Sequence, residues 1–153
     1  MVAYKCYHRI FEVSEMTKAE INSIIHSNRN ELRSLNNSLN EKQNQVRELK
    51  ALKTAIENYR DDFVKHEAKR KKKLGCNAFK NCTLKSVNTY VANMKSVISG
   101  KEYSNCISKL TNAKEKVNKK ITSVETDIKS IKKSISYREG RIRYWQKELK
   151  NAI

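Results

Sequence analysis

The chain has 153 residues, enough for one domain, with 38% apolar and 32% charged residues, three glycines and no proline. That balance suits elongated helices with a narrow buried seam, and it excludes a loop-rich sandwich or an enzyme built on shaped turns. The net charge of +17 draws nucleic acid, an anionic membrane or an acidic protein without choosing among them.

Residues 1–16 read as an N-terminal arm. Val2, Tyr4, Cys6 and His8 alternate loosely with other residues, which fits a short strand, an added helical turn or a flexible arm equally well. Lys5, His8, Arg9 and Glu12 interrupt any apolar run, so the start does not have the form of a Sec leader. No stretch reaches the roughly 18 apolar residues that a membrane-spanning helix needs. Synthesis and folding in the cytosol are expected, and any export requires a route that accepts folded proteins without such a leader.

Thr17-Lys18-Ala19-Glu20 before Ile21 is a capping box ahead of an apolar run. From there Ile21, Ile25, Leu32, Leu35, Leu39, Val46, Leu49, Ile56 and Phe63 keep a three/four spacing, interrupted by Asn28, Lys42 and Lys53. Polar residues in such a seam fix register at some cost in stability. The pattern predicts a helix from about 18 to 73, roughly 80 Å long at 1.5 Å per residue. Arg70, Lys71, Lys72 and Lys73 stand where the helix dipole favours cations, and Gly75 offers a left-handed residue to end the helix. The same basic cluster is a candidate phosphate-contacting patch.

Residues 75–81 read as a turn, after which Asn81 or Thr83 is placed to cap a helix over about 82–99. Leu84, Val87, Val91, Met94 and Ile98 give it an apolar stripe. Gly100 either ends that helix or kinks a longer one. From about 101 to 150 two seven-residue series run together. One is Tyr103, Leu110, Val117, Val124, Ile131, Arg138, Trp145; the other is Ile107, Lys114, Ile121, Ile128, Ile135, Ile142, Leu149. Offset by four then three residues, they form one stripe that must lie against another long helix. Gly140 weakens this helix by about 1 kcal/mol relative to alanine.

The expected fold is all-α: a long antiparallel helical hairpin or elongated helical bundle with coiled-coil-like seams, residues 17–153 forming a single elongated domain. Of the four cysteines none forms a CxxC pair, and free thiols are expected in a reducing compartment. Cys106 falls beside the seam. Cys76 and Cys82 flank the turn and are placed to bridge if oxidised, while Cys6, His8, His66, Cys76 and Cys82 lack the tight spacing of a zinc site. No catalytic constellation, phosphate-binding glycine loop or metal motif occurs in the sequence, so no enzyme activity and no cofactor are expected.

One long helix, a turn carrying an aromatic residue and a second long helix together resemble the WXG superfamily of ESAT-like proteins of type VII secretion. The length is nearest to the small helical proteins encoded beside LXG toxins. Phe79-Lys80-Asn81 stands where that superfamily carries Trp-x-Gly, with Leu84 and Val87 following at the spacing of its small and aromatic positions. Phenylalanine replaces the tryptophan and asparagine the glycine. Neither Tyr137-Arg-Glu-Gly-Arg nor Tyr59-Arg-Asp-Asp-Phe fits the superfamily's Tyr-x-x-x-Asp/Glu export signal. The resemblance implies a targeting or chaperone partner that docks the helical N-terminal region of a toxin. Phe79 and the surplus apolar residues Leu52, Tyr59, Tyr90 and Trp145 are the expected contacts with a helical, acidic protein. The alternatives are a basic helical nucleic-acid-associated or mobile-element protein, and a coiled coil that assembles with itself.

Overall fold

Thr17 starts the first helix by the reciprocal bonding that its sequence predicts. Its side-chain oxygen accepts from Glu20 N at 3.3 Å, and its own N–H donates to Glu20 Oε2 at 2.8 Å. Two of the orphan donors of a helix start are satisfied this way. The computed structural model describes residues 16–75 and 84–152. They form α1 (Lys18–Leu74), α2 (Lys85–Ser99) and α3 (Lys101–Asn151), with no strand among the described residues. The protein is all-α. No described helix is long and apolar enough to cross a membrane.

The chain divides into two compact units: residues 1–45 with 124–153, and residues 46–123. In the first unit α1 and α3 run antiparallel, because residue numbers fall on one helix as they rise on the other. Ile21 shares a core with Trp145, Asn28 bonds Arg138, and Lys42 pairs with Asp127. Ile21 and Val124 are fully buried, and each such side chain contributes about 1.5–3 kcal/mol relative to exposure. Ile21, Ile25 and Trp145 form one cluster, with Met16, Ile24, Leu149 and Ala152 packed around it.

The second unit is also antiparallel. Glu57 pairs with Lys114 at 3.0 Å, and Phe63 stacks on Tyr103 with ring centroids 5.5 Å apart. Its most buried apolar residues are Val46, Val91, Ile98 and Ile121. Gly100 alone separates α2 from α3 and starts α3 by accepting a bond from Ser104 N at 3.2 Å. A side chain there would put its Cβ 2.3 Å from the Ser96 carbonyl oxygen. The break has a geometric use. Ile98 and Tyr103 both line a cleft with Phe63 of α1. Five residues of uninterrupted helix would turn them about 140° apart, onto different faces.

Two local expectations are corrected. Leu84 is not in the stripe: it precedes α2 in extended backbone and is 63% exposed, while its carbonyl takes the first bonds, from Val87 and Asn88. No side chain caps α2 at that position. Gly75 ends α1 without a left-handed turn, since no described glycine has positive φ and its N–H bonds the carbonyls of Lys71 and Lys72. Phe79, Cys76, Cys82, Asn81 and Thr83, like residues 1–15, lie outside the described residues.

Candidate functional site

All fourteen members of the two repeats between Tyr103 and Leu149 are buried or half-buried. So are the twelve seam residues of α1 named from the sequence, including the polar ones. Two of those polar residues, Asn28 and Lys42, have partners across the seam. Asn28 is buried, donates to the Ile24 carbonyl at 2.8 Å and accepts from Arg138 Nη1 at 3.1 Å. Arg138 also forms an ion pair with Glu31. Lys42 donates to Asp127 at 2.8 Å, and Lys114 to Glu57 at 3.0 Å. Of these groups the buried Asn28 is the one that would be costly to leave unmatched, whereas the partly exposed Lys42–Asp127 and Lys114–Glu57 pairs add little.

Glu67 is a buried carboxylate that the apolar pattern concealed. Only its heptad spacing from Lys53 and Arg60 pointed to the seam. It accepts from Arg70 Nη1 at 2.8 Å. Lys71 places its ammonium 5.3 Å from the centre of the Tyr103 ring, a cation–π contact. All four members of the basic cluster are exposed, and Arg70 and Lys71 have contacts within their own unit.

The residues expected to meet a partner separate into three groups. Leu52, Tyr59 and Tyr90 are exposed, at 49%, 71% and 57%, and all belong to the second unit. Trp145 is in the core of the first unit and 6% exposed, so it fills the seam and presents no surface. Phe79 lies outside the described residues. Further exposed large side chains are Val64, Val97, Tyr137 and Tyr144. Sequence reading passed over Val97, although its seven-residue spacing from Tyr90 was visible.

Leu52 with Tyr59, Tyr90 with Val97, and Tyr137 with Tyr144 each stand seven residues apart, so each pair marks one flank of its helix. A two-helix seam is filled without them. Apolar flanks beside a filled seam widen the stripe toward the width that a third helix covers. Cys106, a free thiol, is half-buried beside the seam. No group of three or more metal-ligating side chains occurs among the described residues. No family model, curated protein or solved structure matches the chain.

Proposed function

We propose that the protein is a non-enzymatic helical adaptor that binds a helical, acidic protein. The observation that carries this reading is the recurrence of large apolar side chains, seven residues apart, outside a seam already closed by its own residues. Scattered surface apolar residues need no explanation, but rows at helical spacing match the anchor pattern of a helix laid in a groove. The net charge of +17 speeds encounter with an acidic partner and disfavours a basic one. The resemblance to proteins encoded beside LXG toxins points to a toxin's helical N-terminal region as that partner, and this finer identity rests on the resemblance.

The test is affinity capture of the full chain from its native cells, with nuclease treatment and high-salt washing before mass spectrometry. One stoichiometric acidic protein that survives both treatments is the expected result, since burial of apolar surface resists salt. Loss of all bound material on nuclease treatment would replace this reading with nucleic-acid association, whose affinity falls steeply with salt. An unaccompanied, self-associated chain would replace it with a structural coiled coil.

A further inference from the structure

In the second unit the rows that flank the seam share a side. Leu52 and Tyr59 of α1 stand one residue before the seam positions Lys53 and Arg60. Cys106 and Ala113 of α3 stand one residue before Ile107 and Lys114, and Val97 of α2 one before Ile98. A step of one residue back from the seam rotates a side chain by about 100° around its own helix. Because the two helices face each other and run antiparallel, these rotations carry both rows to the same side of the pair. Val97 and Cys106 accordingly line one cleft, about 350 Å³ in volume, with Phe63, Arg70 and Tyr103.

The surface so formed has three further properties. Cys106 and Ala113 are small, so a helix backbone can approach α3 closely between the larger side chains of the other row. Lys109 and Lys116, both exposed, stand three residues beyond them on a seven-residue row that begins at the exposed Glu102, which lines the cleft together with the Arg70-paired Glu67. From Leu52 to Arg70, which lines the same cleft as Val97, α1 rises about 27 Å, five turns of a docked helix.

We propose that this flank of the second unit docks an amphipathic helix of one acidic partner, its apolar positions seven residues apart and its carboxylates facing Lys109 and Lys116. The proposal rests on the adaptor reading and gives it a place and a register. Charge selects the occupant: a second copy of this chain brings +17 to a chain that already carries +17, whereas an acidic helix is drawn to Lys109 and Lys116.

The experiment places a photo-crosslinking amino acid in the full-length chain at Tyr59 or Val97, and for comparison at Tyr137 or Tyr144, in its native cells. Crosslinked peptides are then sequenced by mass spectrometry. Tyr59 and Val97 are expected to capture the same acidic segment with seven-residue apolar spacing, and the comparison positions to miss it. Tyr59→Glu and Val97→Glu, at sites 71% and 63% exposed, are each expected to reduce recovery of that partner at least tenfold with unchanged helicity by circular dichroism. A partner recovered equally well by both variants, or crosslinked only from Tyr137 or Tyr144, overturns this placement and leaves the adaptor reading standing. Capture of a basic segment or of a second copy overturns the proposed occupant. Absence of any protein partner removes the adaptor reading and this inference together.

Discussion

Arg138 of α3 donates a hydrogen bond to the buried side-chain oxygen of Asn28 on α1, at 3.1 Å, in a stretch of seam flanked by Ile25, Leu32, Ile135 and Ile142. The pair fixes register because sliding either helix by one turn would leave both groups facing isoleucine or leucine. Arg138→Met leaves Asn28 with a buried acceptor unmatched and is expected to cost about 1–3 kcal/mol. Asn28→Leu combined with Arg138→Met is expected to recover that loss or exceed it, since an apolar pair of similar volume often replaces a buried polar one without penalty. Urea unfolding of the two single variants and the double variant measures the coupling, and additive losses would remove the pair from its register role.

Trp145 is the only tryptophan and is buried beside Ile21 and Ile25, yet its ring N–H has no hydrogen-bond partner. Trp145→Ala is expected to cost about 3–5 kcal/mol through lost packing. Trp145→Phe is expected to cost much less, because it removes the unpaired donor along with part of the ring. Thermal unfolding by circular dichroism distinguishes the two. Equal losses would overturn the assignment of the Trp145→Ala cost to lost packing.

The two glycines of the C-terminal half should respond in opposite directions to the same change. A methyl at Gly140 meets nothing within 4 Å, so Gly140→Ala is expected to stabilise α3 by about 1 kcal/mol. A methyl at Gly100 would lie 2.3 Å from a backbone oxygen, so Gly100→Ala forces the break to shift and is expected to destabilise by about 1–3 kcal/mol. Denaturation midpoints of both variants check the contrast.

Acid should loosen the start of α1 and the Glu57–Lys114 pair. Backbone and side-chain hydrogen bonds from Thr17 hold the Glu20 carboxyl below its ordinary range. The bond from Lys114 does the same for Glu57, against the smaller opposing effect of burial. A carboxyl whose folded-state pKa is lowered binds its proton more weakly in the folded chain than in the unfolded one. Its stabilisation is therefore present at neutral pH and is lost as pH falls below about 5 and through the folded-state value. Glu20→Gln and Glu57→Gln are expected to flatten the acid limb of a stability-against-pH curve. An unchanged slope in both variants would sink this account.

Removal of the hydroxyl that caps α1 is the simplest check on the helix start. Thr17→Ala is expected to cost about 1 kcal/mol, whereas Thr17→Ser should leave stability close to that of the parent chain. Thermal midpoints measure both.

Much of the seam was legible from spacing alone. The repeats from Tyr103 to Leu149 specify which stripe of α3 is covered, and the capping box marks where α1 begins, because both depend on residues within a few turns of one another. Leu84 misled for the opposite reason. Its spacing from Val87 and Val91 suits the stripe, but the helix starts one residue after it, and a residue in extended backbone does not share the helical face. Glu67 was hidden because an apolar pattern cannot reveal a buried carboxylate.

The sequence by itself determined the all-α class, the seam and its apolar members, since helical periodicity and the absence of proline act through local backbone chemistry. Only the tertiary structure decided that Arg138 meets Asn28, that Lys114 meets Glu57, and that Trp145 is core while Tyr59 and Val97 are surface. Those outcomes depend on the register between helices distant in sequence, which is set by how side chains interdigitate across the seam and is not encoded in the spacing of either helix alone.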